Sequence, residues 1–281
     1  MDDPRTRQAA FNTASCDQWE GFAAHRARVS ALLGAGGVPR PTRLCVLGAG
    51  NANDLDLPAL LAAHREVHLV DLDREALARG AARQGVGGHA SVRRFGGIDL
   101  TGMLDAIAAW SPSTTVGAAD LQALAEWPAR RVAQALPGPY DVVASTCVLS
   151  QLIGNAFPAL GNSHRRFLAV VEALRIGHLR LLARLVAPGG TMVFVTDVVS
   201  SDTLPDLASL TEGDLPGLLP RLARERNFIA GVHPEAILSA LESDRPLSAR
   251  IARREVVPPW RWRLHARVYL VWAVRLEMAA L

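Results

Sequence analysis

The sequence contains no lysine, so all 30 of its basic residues are arginines. A Walker-type phosphate loop and a pyridoxal Schiff base both need a lysine amine, and both are therefore excluded. The formal net charge is only +3. So small a surplus gives no argument for a nucleic-acid partner.

Cysteine is scarce as well. The three cysteines, Cys16, Cys45 and Cys147, lie far apart, and no CxxC or Cys/His cluster occurs. This spacing does not fit a disulfide scaffold or a structural zinc site. No cluster of carboxylates suggests another metal, so we expect a protein without a metal ion.

Long apolar runs are missing too. No run approaches the roughly 18 apolar residues of a membrane span. The start of the chain, Met1-Asp2-Asp3-Pro4, lacks the basic and then apolar pattern of a signal peptide. We therefore expect a cytoplasmic protein with no membrane partner.

What the sequence does contain is an alternation of short apolar runs and helical patterns. The runs that predict buried strands are 44–47, 67–70, 91–95, 140–145 and 191–196. The helical patterns are 54–64, 74–83 and 163–186. Such alternation predicts an α/β protein with a doubly wound, mostly parallel, Rossmann-like sheet.

The flanking segments complete the predicted organisation. Residues 1–41 form an expected N-terminal cap, helical over 5–33 and ended by a glycine- and proline-rich break at 34–41. Residues 42–281 form the main domain, with inserts expected near 101–138 and 200–232. We expect the second insert to be a lid.

The chemistry-bearing motif follows the first strand. Gly48-Ala49-Gly50 permits a tight turn and close approach of a ligand. In an open α/β sheet, ligands bind beyond the carboxyl ends of the strands. Asp71 ends the second strand and suits ribose hydroxyls, and Asp99 follows the third and suits an adenine amine. Asn53 replaces the third glycine of the dinucleotide fingerprint GxGxxG, which disfavours NAD.

This set of residues resembles the class I S-adenosylmethionine-dependent methyltransferases. The matching features are the GxG loop, the acids after the second and third strands, and a turn before the fifth strand: Gly48, Gly50, Asp71, Asp99 and Pro188-Gly189-Gly190. The resemblance covers residues 42–197. It also implies that the run 266–277 is an antiparallel last strand.

The resemblance implies S-adenosylmethionine as cofactor and S-adenosylhomocysteine as product. Leu72 would flank the adenine, and Asn51 and Asn53 would bind the methionine end. The other residues expected on the cofactor side are Gly48, Ala49, Gly50, Leu100, Ser145 and Thr146. The alternatives are purely structural roles: a helix N-cap for Asp71, a turn for Asp99, and left-handed backbone for the two asparagines.

The acceptor side is less defined by the sequence. The fourth strand ends in Ala144-Ser145-Thr146-Cys147, which lacks the Asp/Asn-Pro-Pro-Tyr of amino-methylating nucleic-acid and protein enzymes. There is also no Pro-Cys pair of the kind that carbon-5 cytosine methyltransferases use. These departures favour a small-molecule acceptor.

Two residues are candidates for the catalytic side of the site. Gln151, next to Ser150, follows the fourth strand and could line the transfer site. His164 precedes Arg165 and Arg166, which could hold an anionic acceptor while the imidazole serves as anchor or base. Alternatively, His164 lies in a solvated helix start.

Other residues have mainly structural interpretations. His178 falls on an apolar helical stripe, and Cys147 suits a small buried position. Trp260 and Trp262 share one face of a strand, either as edge packing or as a wall for an aromatic or cationic acceptor. The C-terminal arginines form either a solvated face or a basic groove for RNA: Arg250, Arg253, Arg254, Arg261 and Arg263.

The sequence thus predicts a methyltransferase that acts on a small-molecule acceptor by in-line displacement, at nitrogen or oxygen. Two alternatives stay open. One is an RNA or protein methyltransferase that uses the arginine-rich face, and the other is a cofactor-binding regulator without catalytic activity. The sequence does not predict the oligomeric state.

Overall fold

The computed structural model describes residues 3–34 and 42–280. The helices are α1 Pro4–Ser15, α2 Ala23–Leu33, α3 Leu57–Ala63, α4 Arg74–Arg83, α5 Leu104–Ala108, α6 Ala118–Trp127, α7 Leu149–Gly154, α8 Ala156–Leu160, α9 Phe167–Leu185, α10 Leu215–Glu225, α11 Pro234–Ser243 and α12 Arg245–Ser248. The strands are β1 Arg43–Leu47, β2 Glu66–Asp71, β3 Val92–Gly96, β4 Tyr140–Thr146, β5 Val186–Ser200, β6 Ile251–Leu264 and β7 Arg267–Met278.

All of these strands belong to one sheet, in the order β3-β2-β1-β4-β5-β7-β6. Neighbours from β3 to β5 pair in parallel, and β7 runs antiparallel to both β5 and β6. The predicted Rossmann-like sheet, mostly parallel with an antiparallel last strand, is confirmed. The apolar runs that predicted β1 to β4 lie within one residue of the observed strands.

The sheet reverses its strand order between β1 and β4. These two strands are neighbours, with Leu47 opposite Ser145, and the chain winds outward from them in both directions. The carboxyl ends of β1 and β4 therefore open a crevice between the helices of the two halves. Ligands of doubly wound folds bind at such a switch point.

Strands β1, β2 and β4 are buried on both faces, as expected for continuous apolar runs. Leu44 and Val46 pack on the face that α2, α3 and α4 cover. Cys45 and Leu47 point to the opposite face, into the larger core that includes residues of α6, α7 and α9. The alternation along β1 thus places one half of each strand's side chains in each core.

The structure departs from the predicted elements in three places. The single helix expected over 5–33 is two helices, separated by a short turn at Glu20–Phe22. The helix predicted over 163–186 begins at Phe167. Strand β5 already starts at Val186, so the Pro-Gly-Gly segment lies inside a strand.

The sequence analysis placed Trp260 and Trp262 on a strand but did not identify the full extent of β6. It is the last strand of the sheet and pairs only with β7. Residues 252–256 are exposed, so their sequence carries little apolar signal. Exposed charges at an edge strand also discourage pairing with another chain.

Part of the predicted insert 200–232 packs into the core. Leu207, Leu215, Leu218 and Leu222, from the segment 200–232, are buried in the larger core. At the other predicted boundary, residues 35–41 lie outside the described part of the chain, as does most of the break predicted at 34–41. Among the residues described, no helix is long and apolar enough to cross a membrane.

Candidate functional site

The loop after β1 turns tightly against the end of β2. Gly48 has φ +76°, and its amide donates to the carbonyl of Val70 at 2.9 Å. A Cβ atom on Gly48 would lie 2.5 Å from Cβ of Val148. The position therefore requires glycine on two grounds, backbone conformation and the close approach of the β4–α7 connection.

Asp71 fastens this loop. Its Oδ2 accepts from the amide of Gly50 at 2.8 Å, and its Oδ1 accepts from the amide of Asp73 at 2.8 Å. Asp73, not Asp71, caps α4 by accepting from the amide of Glu75. Burial raises the pKa of Asp71 to about 6. Each carboxylate oxygen keeps a further lone pair that a ligand hydroxyl can use.

The two asparagines of the loop have different environments. Nδ2 of Asn53 donates to the carbonyl of Ser15, and its Oδ1 accepts from Arg83 at 3.0 Å. Asn51 donates through Nδ2 to the carbonyl of Asn12, but its buried Oδ1 has no hydrogen-bond partner among the described residues. Asn51 is thus the asparagine that retains an acceptor for a ligand.

Helix α1 lies directly over this part of the loop. Nδ2 of Asn12 donates to Asp73 at 3.0 Å, and its Oδ1 would lie 3.1 Å from a Cβ on Gly50. The N-terminal cap therefore contacts the edge of the loop that carries Asp71. Asp71 and Leu72, both predicted on the cofactor side, do not line the cavity described below.

Asp99 has the role of a turn residue. Its Oδ1 accepts from the amide and hydroxyl of Thr101, and its Oδ2 accepts from the amide of Leu104 at 2.8 Å. Leu100 is buried in the core. Neither residue lines the cavity. These hydrogen bonds give Asp99 the alternative role of a turn residue, and its expected adenine contact stays a prediction.

A cavity of about 890 Å³ opens beyond the carboxyl ends of β1 and β4. Its walls come from the loop after β1, the ends of β4 and β5, helices α1 and α7, and the β6–β7 turn. Its volume suits a small-molecule site. From the predicted lid 200–232, Asp202 alone lines it among the described residues.

The residues at the end of β4 have different surroundings: one is buried in the core, and the next two line the cavity. Ser145 is fully buried, and its hydroxyl lies 2.8 Å from Nε2 of His178. Burial lowers the pKa of His178 to about 4, so this histidine is a neutral core residue. Thr146 and Cys147 line the cavity. Cys147 has φ +48°, an uncommon conformation for a residue with a side chain.

Buried carboxylates in and beside the cavity influence one another and their neighbours. The charge of Asp71 contributes to the raised pKa of Asp54, and both Asp54 and Asp197 raise the pKa of the Cys147 thiol. Asp197 also raises the pKa of Tyr269.

Burial has the largest effect on the pKa values of two carboxylates that line this cavity. It raises the pKa of Asp54 to about 6 and that of Asp197 to about 6. The Thr146 hydroxyl lowers the pKa of Asp54 in part, yet makes no hydrogen bond of normal geometry to any described residue. Ser150 donates to Oδ1 of Asp197 at 2.7 Å.

An aromatic stack closes one side of the cavity. The ring of Trp262 stacks on His25 at 4.8 Å and on Tyr269 at 5.1 Å, and Phe22 meets it edge-on at 5.0 Å. Nδ1 of His25 accepts from Trp260, and burial lowers the pKa of His25 to about 3. The stack is therefore uncharged and rigid.

Only one of the two predicted catalytic residues lines the cavity. Gln151 lines the cavity, and its Nε2 donates to the carbonyl of Cys147 at 3.0 Å. His164 lies outside the cavity: its Nε2 is 3.0 Å from the carbonyl of Thr114, and its Nδ1 accepts from the amide of Arg166. The expected anchor or base role of His164 stays a prediction, and both ring nitrogens already have partners in this structure.

Four lining residues carry chemistry that the sequence analysis did not assign to the site: His25, Asp54, Asp197 and Tyr269. Asp54 lies at the end of the loop after β1, and Asp197 follows the fifth apolar run of the sequence. Their positions after predicted strands could have indicated that they belong to the site. His25 and Tyr269 join the site only through the path of α2 and β7, which no local spacing reveals.

Comparisons with known proteins show which solved structures share this fold. No family model and no curated protein matches the sequence. The structure is similar to magnesium protoporphyrin IX methyltransferase from Synechocystis PCC 6803, solved with bound SAH (S-adenosylhomocysteine), at TM-score 0.50 and 13% identity over 99% of this chain and 100% of that one. The chain has the fold of the class I methyltransferases.

Two further neighbours have weaker scores. The N-methyltransferase NodS from Bradyrhizobium japonicum WM9, also with SAH, matches at TM-score 0.45 and 11% identity over 98% of this chain and 99% of that one. An O-methyltransferase family protein from Burkholderia thailandensis matches at TM-score 0.43 and 15% identity over 97% of this chain. This chain spans 60% of the length of that protein.

Proposed function

We propose that the protein is an S-adenosylmethionine-dependent methyltransferase that acts on a small-molecule acceptor. The observation that carries this proposal is a pair of 2.8 Å hydrogen bonds at the end of β2. Asp71 accepts one from the amide of Gly50 and the other from the amide of Asp73. That geometry stands at the switch point of a methyltransferase fold, next to a cavity of about 890 Å³.

The residues fit the cofactor. Gly48 lines the cavity, and the Oδ1 of Asn51 is a buried acceptor with no described partner. Asp71 would hold the ribose hydroxyls, and Asp54, which lines the cavity at the end of the loop after β1, would hold the methionine ammonium. When bound, the cofactor supplies an electrophilic methyl group.

The chain's own contribution is orientation and exclusion of water. Methyl transfer to a nucleophile is an in-line displacement whose leaving group needs no proton, so a well-placed acceptor is the main requirement. The stack around Trp262 and the cap helix α1 border the cavity and shield it from solvent. Gln151 and Thr146 would position the acceptor from the end of β4.

Contacts of the arginine-rich C-terminal face favour the small-molecule acceptor over RNA. Arg253 lies 3.5 Å from Glu277, and Arg254 pairs with Glu242. The guanidinium of Arg250 donates to backbone carbonyls, including that of Val186 at 3.0 Å. Arginines that are already paired offer little attraction to a phosphate backbone.

Calorimetry tests the proposal. The protein should bind S-adenosylhomocysteine with a saturable, stoichiometric heat, whereas NAD should give none because Asn53 occupies the position of the third fingerprint glycine. Absence of binding to S-adenosylhomocysteine, or equal binding of NAD, would contradict the proposal.

A further inference from the structure

The acceptor end of the cavity contains one strongly buried carboxylate. Asp197 is 7% exposed, lines the cavity and accepts from Ser150 at 2.7 Å. Asp54 belongs to the loop after β1, whereas Asp197 lies on β5, opposite Val271 of β7 and hydrogen-bonded to Ser150 of α7. Asp197 is thus the carboxylate that an acceptor would meet.

Among residues 3–34 and 42–280, no arginine or histidine forms an ion pair with Asp197 within 4.0 Å. A buried carboxylate without a cation is costly unless a ligand compensates it. The orphan hydroxyl of Thr146, 3% exposed and lining the same cavity, is a second polar group that a ligand would satisfy.

Two arginines that border the cavity have other partners. Arg267 forms an ion pair with Asp202 at 2.6 Å and donates to the hydroxyl of Tyr269. Arg7 donates to Asn155 at 3.1 Å. An anionic acceptor would therefore face the negative charge of Asp197.

The body of the acceptor is constrained by the aromatic stack. Phe22 and Trp262 present apolar surface to the cavity, and burial keeps His25 neutral by lowering its pKa to about 3. Phe11, 69% exposed, extends the apolar lining on α1. The cavity thus places an apolar wall near the buried carboxylate of Asp197.

Resting on the proposed function, we infer that the acceptor is a primary or secondary amine on an aromatic or similarly apolar body, bound as an ammonium whose N–H donates to Asp197. Its apolar part packs on the stack of Phe22, Trp262 and Tyr269. Ser150 is a positioning residue that fixes the carboxylate through its hydroxyl.

The chemical step balances with these groups. The ammonium transfers one proton to the carboxylate of Asp197, which leaves a neutral amine with its lone pair. That lone pair forms the new N–C bond to the sulfonium methyl, the C–S bond breaks with its electrons going to sulfur, and the product is the methylated ammonium. Proton removal is necessary because an ammonium has no lone pair.

The environment makes Asp197 a stronger base than an ordinary carboxylate. Burial raises the pKa of Asp197 to about 6, while the hydrogen bond from Ser150 lowers it in part. Asp197 also raises the pKa values of Cys147, directly after β4, and Tyr269, on β7, and burial raises both as well. Both of these groups stay neutral, so the proton passes to Asp197.

A matched fragment panel tests the inference. Benzene, naphthalene and indole scaffolds, each carrying aminoethyl, hydroxyethyl or carboxyethyl, are titrated into protein saturated with S-adenosylhomocysteine, with binding followed by ligand-observed NMR. Wild type should bind the amines at least about tenfold more tightly than the alcohols and should bind the acids least. Asp197→Asn should remove the preference for amines, and Asp206→Asn, a surface carboxylate at 46% side-chain exposure, should keep it.

A second arm measures the reaction. The best-binding amine, incubated with S-adenosylmethionine, should gain one methyl on nitrogen by mass spectrometry, with kcat reduced at least about a hundredfold in Asp197→Asn. Panels in which amines bind no better than alcohols, or an Asp197→Asn variant with wild-type preference and rate, overturn the inference. If S-adenosylhomocysteine itself does not bind, the proposed function fails instead.

Discussion

The hydroxyl of Ser150 donates a 2.7 Å hydrogen bond to Asp197, joining the first turn of α7 to the end of β5. This contact holds the buried carboxylate at the acceptor end of the cavity. It also favours the ionised form, against the effect of burial, which raises the pKa of Asp197 to about 6. Ser150 therefore sets the pH above which Asp197 can accept a proton.

Replacing Ser150 should move the pH profile. With an amine acceptor, kcat/KM should fall below a limb near pH 6 as Asp197 becomes protonated. Ser150→Ala removes a hydrogen bond that favours the carboxylate, so the limb should move upward by about one pH unit. Ser209→Ala, an exposed serine outside the cavity, is the control. An unchanged limb in Ser150→Ala would argue against this role.

Asp197→Asn should make the protein more stable at alkaline pH. The folded-state pKa of Asp197 is raised above the ordinary 3.8, so its contribution to stability is full below about pH 4 and is lost as pH rises through about 6. Asparagine cannot ionise, so urea unfolding at pH 8 should show a gain of about 1–3 kcal/mol over wild type.

The same comparison at pH 5 should show a smaller gain, because both side chains are then mostly neutral in the folded state. Asp206→Asn, on the surface, should show no such pH dependence. A destabilised Asp197→Asn at pH 8 would mean that the carboxylate is not held in an unfavourable environment.

The tight turn after β1 should tolerate no side chain. Gly48→Ala places a Cβ at φ +76° and 2.5 Å from Val148, so strain and overlap should cost about 2–5 kcal/mol of the free energy of unfolding. Gly85 has φ +69° with nothing within 4 Å of a Cβ, so Gly85→Ala should cost only the backbone strain, about 1–2 kcal/mol. Equal denaturant midpoints for the two variants would contradict this account of the loop.

Much of the fold could be predicted because each buried strand leaves a local apolar pattern in the sequence. Strands such as β1 and β2 are buried on both faces and therefore read as uninterrupted apolar runs. Edge strand β6 shows no such run, since residues such as Arg253 and Glu255 face solvent. The break between α1 and α2 also escaped detection, because apolar residues continue across it at helical spacing.

The site was predictable only where it follows strand ends. The loop of Gly48 and the carboxylate of Asp71 lie beyond β1 and β2, as the sheet topology dictates. The stack of His25, Trp262 and Tyr269 unites distant segments, so only the packing of α2 on the last two strands reveals it. Similarly, a histidine in a turn cannot be told from one in a site by composition.

Helix α1 should slow entry of the cofactor. Asn12 contacts Asp73 and lies next to Gly50, on the edge of the loop that a ribose at Asp71 would use. Asn12→Ala removes these contacts, so stopped-flow association of S-adenosylhomocysteine should become several-fold faster. Thr13→Ala, an exposed neighbour on the same helix, should associate at the wild-type rate. Equal rates in all three proteins would mean that α1 does not limit access.

The most direct test of the methyltransferase account is the affinity of Asp71→Ala for S-adenosylhomocysteine, measured by calorimetry beside wild type. Two hydrogen bonds from ribose hydroxyls to a charged acceptor are worth about 1.5–3 kcal/mol each, so the dissociation constant should rise about a hundredfold or more. Asp71→Asn, which keeps one acceptor oxygen, should fall between the two. A folded Asp71→Ala variant that binds S-adenosylhomocysteine as tightly as wild type would contradict the account.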